Sequence, residues 1–365
     1  MNPIINVPNS NNQEHDHNHR LQQLKKFDES KVGVKGLVDR GITSIPSIFV
    51  HTTRPDPPSR PGPNKKVSIP VIDLSSPRKN IVDEVRKASS ELGFFQIINH
   101  GIEVESVKEI VESIKMFFEQ PEEEKMKYYR REPTNGIAYS TNFDLYNSKA
   151  ASWRDTLQAR LSPEKPDWEN VPKVCRGYLV EWDEKVESIG AEMLEILCEG
   201  LGVEKNRLKD MSCMGARTMA AHYYPYCPQP DLTAGLTSHT DPGLLTVLVQ
   251  NLVPGLQVKV GEEWVDVEPL EGGIVFNIGD ILQILSNDTY KSVEHRVLAN
   301  PFPEPRVSAA VFLNPSKRDD YYGPLPELLS VETPARYRQF LLPEYLKRFF
   351  TKELDGKTLT NYYRV

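Results

Sequence analysis

The sequence has few cysteines, no long hydrophobic run and no excess of positive charge. Its four cysteines, Cys175, Cys198, Cys213 and Cys227, are scattered without Cys-x-x-Cys spacing, which is typical of reduced thiols in a cytosolic protein and not of a disulfide framework. No stretch of about eighteen apolar residues occurs and the N-terminus is polar, so we predict neither a membrane span nor a secretory signal. The expected location is the cytoplasm.

Acidic residues outnumber basic residues by 51 to 44, which gives a formal net charge of −7 at pH 7. A net negative charge argues against nucleic acid or an anionic membrane as a partner. With 365 residues, the chain is long enough to bury a sizeable core, as one large domain or two small ones. Nothing in the sequence implies a protein partner.

Residues 1–66 are predicted to lie outside the main core. The first part, 1–26, is rich in Asn, Gln and His and lacks apolar periodicity, so it is predicted to be a disordered tail. A short leader, residues 27–51, follows. The prolines within 52–66 predict an extended, semi-rigid linker. We expect a domain boundary at the end of this linker.

Beyond the linker, helical periodicity gives way to short strands. Residues 67–210 contain a strand–helix–strand opening and amphipathic helices, including one over 178–203, while 131–175 is predicted to be loops with aromatic insertions. Residues 211–320 contain about eight short strands divided by turns, which indicate a sandwich or jelly roll with a ligand site at its mouth. Residues 321–365 return to a helix and a tail. The expected fold is mainly β with flanking helices.

Three residues in the strand-rich part are candidates for a metal site. His239 and Asp241 are two apart, so on an extended segment both side chains leave the same face. His295 follows much later in the chain and can join them only if the fold brings distant strands together. Two imidazoles and one carboxylate are the ligands of non-haem iron oxygenases, where they leave the opposite face of the ion open. Each residue alone could be structural, but the ordered set favours a metal.

Arg306 and Ser308 form a second pair that shares one strand face. A guanidinium offers a planar fork to a carboxylate, and a neighbouring hydroxyl adds a third hydrogen bond. The pair is therefore suited to hold the far end of a dicarboxylate.

The run from HYYPYCPQPD through SHTDPGLLTVLVQ and SVEHRVLANP to PRVSAAVFLNP closely resembles the catalytic core of the plant 2-oxoglutarate- and Fe(II)-dependent dioxygenases. IPVIDL and GFFQIINHGI resemble the N-terminal region of that family. The leader FDESKVGVKGLVDRGITSIPSIFVH is similar to that of the 1-aminocyclopropane-1-carboxylate oxidase homologues. The resemblance implies a double-stranded β-helix, or jelly-roll, core with Fe(II), 2-oxoglutarate as co-substrate, O2, and ascorbate as reductant.

The same resemblance implies further site residues. Tyr224 and His222, in HYYP, match neighbours of the co-substrate, although many relatives have Asn where His222 stands. Phe312 matches an aromatic residue of the substrate pocket by position, and a core role is equally open.

One wall of the substrate pocket comes, in that family, from the region that contains Phe143, Trp153 and Arg154. The resemblance makes these three residues pocket candidates. The alternative is that Trp153 serves packing and that Arg154 forms a structural ion pair with Asp155.

The resemblance implies a dioxygenase that hydroxylates an unactivated C–H bond of a small plant specialised metabolite, an alkaloid, benzoxazinoid, phenolic or steroidal compound, and releases succinate and CO2. No separate catalytic acid or base is assigned, because the chemistry is centred on the metal. Desaturation, demethylation and ring closure remain open as outcomes. Two alternatives also remain open: an ascorbate-dependent oxidase of the 1-aminocyclopropane-1-carboxylate oxidase type, and a non-catalytic jelly roll that binds a ligand.

Overall fold

The computed structural model describes residues 10–51, 67–132, 136–351 and 357–365, and the side chains from residue 18 onward within those ranges. The predicted proline-rich linker, 52–66, lies outside the described residues.

The described residues form ten α-helices and fourteen β-strands. The helices are α1 (Ser10–Ser30), α2 (Gly33–Asp39), α3 (Arg78–Glu91), α4 (Val104–Phe118), α5 (Glu122–Met126), α6 (Lys173–Leu201), α7 (Arg207–Asp210), α8 (Asp280–Leu285), α9 (Leu342–Phe350) and α10 (Thr358–Tyr362). The strands are β1 (Val71–Asp73), β2 (Phe94–Ile98), β3 (Ile137–Ser140), β4 (Asp155–Ser162), β5 (Ala216–Tyr224), β6 (Ala234–His239), β7 (Leu245–Gln250), β8 (Leu256–Val260), β9 (Glu263–Asp266), β10 (Ile274–Ile278), β11 (His295–Leu298), β12 (Arg306–Asn314), β13 (Tyr321–Tyr322) and β14 (Phe340–Leu341).

Two sheets make up the centre of the molecule. The large sheet has eight strands in the order β1-β2-β10-β7-β12-β5-β4-β3, and the small sheet has four in the order β6-β11-β8-β9. The pair β1–β2 is parallel, whereas the other pairs in both sheets are antiparallel. This arrangement confirms the predicted mainly-β jelly-roll core with flanking helices.

Adjacent residues on the strands of the large sheet face opposite sides, as the period of two requires. Tyr223 belongs to the apolar cluster that includes residues of α3, α4 and α6. Tyr224 belongs instead to a second cluster, which draws residues such as Val275 from the large sheet and Val258 and Val297 from the small one. The space between the two sheets is therefore lined from both, and the candidate site lies there.

The predicted loop region 131–175 contains β3 and β4, so that prediction was wrong in part. β4 alternates buried and more exposed positions and pairs along its length with β5. The large sheet thus joins strands from both of the predicted segments 67–210 and 211–320. The helix predicted over 178–203 is confirmed as α6.

The prediction of a disordered tail over 1–26 does not hold for its described residues. α1 extends from residue 10 to residue 30, and Leu24 and Phe27 are buried. These two side chains are three residues apart on one helix face and enter an apolar cluster with Phe49 and Trp153. Sequence reasoning missed the helix because so short an apolar stripe is obscured by its polar surroundings.

Two further predictions concern membranes and thiols. The helices within the described ranges are all too short or too polar to cross a bilayer. Cys175, Cys198, Cys213 and Cys227 are all free and buried, which agrees with the expected lack of a disulfide framework. Burial raises the pKa of the Cys213 thiol to about 12, so this thiol is protonated at neutral pH.

Candidate functional site

The predicted metal residues meet because β6 and β11 are neighbours in the small sheet. His239 is the last residue of β6 and His295 is the first residue of β11. The two are direct partners in the antiparallel register, and their ring centroids lie 4.2 Å apart. Asp241 follows β6 by two residues and completes the group.

The three potential ligand atoms converge on one point. Oδ1 of Asp241 lies 3.5 Å from Nε2 of His239 and 3.6 Å from Nε2 of His295. All three residues are buried, and their ligand atoms lie within 4.8 Å of one another. The prediction that these distant residues come together is therefore confirmed as geometry.

Hydrogen bonds to the backbone orient both imidazole rings. Nδ1 of His239 lies 2.9 Å from the carbonyl oxygen of Thr237, and Nδ1 of His295 lies 3.2 Å from that of Val293. Because a carbonyl oxygen can only accept, each Nδ1 carries the hydrogen and each Nε2 presents its lone pair. This is the tautomer that binds a metal through Nε2.

The carboxylate of Asp241 is oriented in the same way. Its Oδ2 accepts hydrogen bonds from Oγ1 of Thr246, at 2.5 Å, and from Nδ2 of Asn277, at 2.8 Å, so Oδ1 remains for a metal. Burial alone would raise the pKa of Asp241, but His295, His239 and the Asn277 amide hold it well below its usual range. Burial lowers the pKa of His295 to about 4, which leaves its imidazole neutral at pH 7.

These residues fit a divalent transition metal. They offer two neutral nitrogen donors and one anionic oxygen donor, the mixed set that non-haem ferrous sites use. The other polar atom of each side chain is already bonded to the protein, which is the support that metal ligands require.

The predicted co-substrate residues form a two-by-two array on the large sheet. In the register of β5 and β12, Arg306 lies opposite Tyr224, and Ser308 lies opposite His222. His222 and Tyr224 are two apart on β5, and Arg306 and Ser308 are two apart on β12. All four side chains therefore face the same side of the sheet. All four, together with Phe312 and the three metal candidates, line one cavity between the sheets.

Arg306 is almost completely buried, with 1% of its surface exposed. Its Nη2 donates to Oε1 of Gln250 at 2.6 Å, and its Nη1 donates to Oγ of Ser308 at 3.4 Å. Its Nε has no hydrogen-bond partner in the part of the chain that the structure describes. A buried guanidinium with a free donor is suited to a carboxylate ligand. That this ligand is the far end of a dicarboxylate stays a prediction.

His222 contacts the neighbouring strand through Nδ1, which lies 3.0 Å from Oγ1 of Thr156. Burial, with the positive charges of Arg154 and Arg306, holds the pKa of His222 well below its usual range. The imidazole is therefore neutral. Among the described residues, the group that could hold a metal does not include His222. Its place beside the co-substrate stays a prediction.

The four predicted pocket residues lie in different environments. Phe312 lines the cavity, whereas Phe143 is 46% exposed and contacts the ring of Phe350. Trp153 is fully buried in the cluster with the N-terminal leader, and its Nε1 donates to the carbonyl oxygen of Tyr226. The pocket role predicted for Trp153 is corrected accordingly, because its side chain serves packing.

The alternative ion pair between Arg154 and Asp155 is absent, although both residues are described. Asp155 instead accepts hydrogen bonds from the backbone N–H groups of Val34 and Lys35 and from the hydroxyl of Thr141. Arg154 is buried beside the site, where its Nη1 reaches the carbonyl oxygen of Gly235.

Sequence reasoning missed the residues that orient the ligands. Asn277 and Thr246 hold Asp241, and Thr156 contacts His222. Asn277 carries one detectable signal, since it is a polar residue within the apolar strand IVFNI. Its partner could not be read from the sequence, because that contact joins the two sheets.

Two family models match this chain. Residues 216–315 match the 2OG-Fe(II) oxygenase superfamily, and residues 69–176 match the N-terminal region described as non-haem dioxygenase in morphine synthesis. The first range contains all three metal candidates and the four co-substrate candidates.

Curated relatives match over nearly the whole chain. The 1-aminocyclopropane-1-carboxylate oxidase homolog 1 of Arabidopsis thaliana is 44% identical over 95% of this chain and 97% of its own length. Homolog 4 of the same plant is 43% identical over 94% of this chain and 98% of its own length.

Solved structures agree with these sequence matches. JOX2 in complex with 2OG, Fe and JA superposes with a TM-score of 0.82 at 30% identity, covering 92% of this chain and 98% of that structure. The rice dioxygenase for auxin oxidation has a TM-score of 0.69 at 26% identity, covering 82% of this chain and 100% of its own. The chain therefore belongs to the 2OG-Fe(II) oxygenase superfamily, among the 1-aminocyclopropane-1-carboxylate oxidase homologues, and is an Fe(II)- and 2-oxoglutarate-dependent dioxygenase.

Proposed function

We propose that this dioxygenase hydroxylates an unactivated C–H bond of a small plant specialised metabolite, in the range of alkaloids, benzoxazinoids, phenolics and steroidal compounds. One substrate, one 2-oxoglutarate and one O2 give one hydroxylated product, one succinate and one CO2. Ascorbate would keep the iron reduced. Desaturation, demethylation and ring closure are variants of the same oxidation.

The observation that carries the proposal is the register of two strand pairs. The pair β6–β11 places His239 opposite His295, and the pair β5–β12 places Arg306 opposite Tyr224. A metal site and a carboxylate site thereby face one cavity. A co-substrate with two carboxylates can span from one to the other.

Each residue then has a definite role. His239, Asp241 and His295 would hold Fe(II), which when bound supplies the oxidative decarboxylation of 2-oxoglutarate and the oxidation of the substrate C–H. Arg306 and Ser308 would bind the distal carboxylate through charge-assisted hydrogen bonds.

The remaining residues of the array shape the pocket. Tyr224 lies beside the guanidinium of Arg306, whose Cζ is 5.0 Å from the Tyr224 ring centroid. His222, neutral and bonded to Thr156, would border the co-substrate without adding charge. Phe312 offers an aromatic surface on the same cavity. Together they would hold the reacting groups close and exclude water, which is the main contribution of the protein.

The similar proteins support a small-molecule substrate. One similar structure holds JA together with 2OG and Fe, and another is a dioxygenase for auxin oxidation. The curated relatives are named as homologues of 1-aminocyclopropane-1-carboxylate oxidase.

The test begins without oxygen. Purified protein is mixed anaerobically with Fe(II) and 2-oxoglutarate, and the visible charge-transfer band of the chelate is recorded. Air is then admitted in the presence of ascorbate, and succinate is measured. We expect a band and succinate from the wild type, and neither from Asp241→Ala. Metabolite extracts are then screened for a mass gain of one oxygen.

The other outcomes separate the alternatives. Bound iron without a band would overturn the role of 2-oxoglutarate and favour an ascorbate-driven oxidase. Failure to bind iron at all would favour a non-catalytic jelly roll that binds a ligand. An Asp241→Ala variant that still releases succinate would remove the metal assignment.

A further inference from the structure

Two buried guanidinium groups flank the candidate site, and only one of them is accounted for by the co-substrate. Arg306, on β12, is assigned to 2-oxoglutarate. Arg154, which immediately precedes β4, is 2% exposed, and the co-substrate does not account for it.

Arg154 lies beside the site, although the described residues that line the cavity do not include it. It directly precedes β4, and Thr156 lies two residues further on, inside that strand. Thr156 lies opposite His222 in the register of β4 and β5, and its hydroxyl contacts the His222 ring. Arg154 itself reaches the carbonyl oxygen of Gly235 on β6, next to the cavity-lining Leu236.

The hydrogen-bonding capacity of Arg154 is largely unused. Among the described residues its Nε has no partner, and its Nη1 makes one long bond of 3.4 Å to Gly235, although a guanidinium offers five donors. Arg217 shows how this protein holds a structural buried arginine: it bonds Asp183 at 2.8 and 3.2 Å and Glu187 at 3.2 Å. A buried charge without such partners is costly.

The acidic residues around Arg154 do not satisfy it. Asp155 is fully engaged with Val34, Lys35 and Thr141. Asp144 is 5% exposed and interacts with Arg154 only through the longer-range attraction between their charges. Within the described ranges, no carboxylate forms an ion pair with Arg154. An anion from outside the chain would complete its hydrogen bonds.

We propose that Arg154 is the anchor for a carboxylate group of the substrate, bound at the edge of the cavity beside Leu236 and apart from the co-substrate carboxylate at Arg306. This inference rests on the proposed function. A planar guanidinium binds a carboxylate through two parallel hydrogen bonds, which fixes both position and orientation. The enzyme would therefore select carboxylic acids over their neutral esters and present the same C–H bond to the metal each time.

The test uses full-length protein saturated with Mn(II) and 2-oxoglutarate under nitrogen, so that the co-substrate site is filled first. Three aromatic carboxylates of increasing size, benzoate, 4-coumarate and indole-3-acetate, are each compared with the corresponding methyl ester. Binding is followed by the shift in Tm and by the fluorescence of the tryptophans, one of which, Trp153, adjoins Arg154. The variants are Arg154→Met, Arg154→Lys and, as the matched control, Arg306→Met.

We expect at least one acid to bind the wild type more tightly than its ester, by about 10- to 100-fold. Arg154→Met should abolish this preference and Arg154→Lys should restore part of it. Arg306→Met should lose the Tm shift caused by 2-oxoglutarate yet keep the preference for the acid.

Two results would overturn the proposal. One is that no acid binds the wild type better than its ester, or that Arg154→Met keeps the preference. The other is that Arg154→Met lowers the Tm of the ligand-free protein by several degrees and Arg154→Lys restores it without any acid preference, which would make Arg154 structural. Failure of the proposed function is a separate result, because the wild type would then show no Tm shift with 2-oxoglutarate.

Discussion

Asn277 donates a hydrogen bond from Nδ2 to Oδ2 of Asp241 across 2.8 Å, and this bond joins the two sheets. Asn277 lies on β10 of the large sheet, whereas Asp241 follows β6 of the small sheet. The orientation of a metal ligand on one sheet is thus set by a residue on the other.

Replacing Asn277 by Leu should weaken Fe(II) binding by about 10- to 100-fold, because the carboxylate of Asp241 loses the partner that orients it. Anaerobic calorimetric titration with Fe(II) measures this change. Asn170→Leu is the matched control, since Asn170 bonds Oδ2 of Asp167 at 2.7 Å on the surface. Equal affinities for the Asn277 variant and the wild type would contradict the orienting role.

Replacing Arg306 by Lys should raise the KM for 2-oxoglutarate by about 10- to 100-fold, because an ammonium cannot form the bidentate contact of a guanidinium. The affinity for Fe(II) should not change, since Arg306 is not among the metal candidates. Succinate release at varied 2-oxoglutarate gives the KM. Ser308→Ala should show a smaller increase, and an unaltered KM in Arg306→Lys would refute the assignment.

Replacing Asp155 by Asn should lower the free energy of unfolding by about 2–4 kcal/mol. The two oxygens of the Asp155 carboxylate accept hydrogen bonds from the backbone N–H groups of Val34 and Lys35, at 2.9 and 2.8 Å. The side-chain amide of the variant has an NH2 group in place of one oxygen, and this group would face one of the two N–H donors. Chemical denaturation gives the free energy, and hydrogen exchange at the two backbone amides reports the local effect. Asp167→Asn, at an exposed position, serves as the control; comparable losses in the two variants would argue against a special role for Asp155.

The contribution of Asp28 to stability should depend on pH. Burial would raise its pKa, but hydrogen bonds from Arg131, Tyr129 and Tyr146 outweigh burial and hold the pKa of Asp28 below its usual range. Its folded pKa is therefore below the unfolded value of about 3.9. The stabilisation is fully present above that pH and is lost as the pH falls through the folded pKa.

Asp28→Asn should accordingly have a lower Tm than the wild type at pH 7. The two Tm values should converge as the pH is taken below about 3.9. Thermal denaturation from pH 7 to pH 2.5 tests this expectation. If the difference in Tm between the two proteins stays constant over the whole pH range, the charge of Asp28 is not the cause of the stabilisation.

The metal candidates were accessible to sequence reasoning because their signal is local. His239 and Asp241 are two residues apart on one strand, and the period of two places both on the same face whatever the rest of the fold does. The same period pairs Arg306 with Ser308. These residue types also carry a recognisable chemistry, so their order along the chain was sufficient to indicate a ferrous site.

The segment around Trp153 and Arg154 was less accessible. These residues are neighbours in sequence, yet Trp153 packs under the leader while Arg154 turns towards the site. Both residues directly precede β4, where the backbone turns and the N–H of Arg154 donates to the carbonyl oxygen of Ser152. The strand was not predicted because it pairs with β5, and strand pairing depends on a distant part of the chain.

The sequence by itself determined which residues can bind a metal and a dicarboxylate, because donor chemistry and the period of a strand are local properties. Only the tertiary structure decided how these donors are oriented and which charges remain unpaired. Asn277 and Thr246 hold Asp241, and Thr156 contacts His222. Within the described ranges, Arg154 lacks an ion pair such as the one that Arg217 has. Such relations join strands that are distant in the chain, and their partners exist only after the sheets have formed.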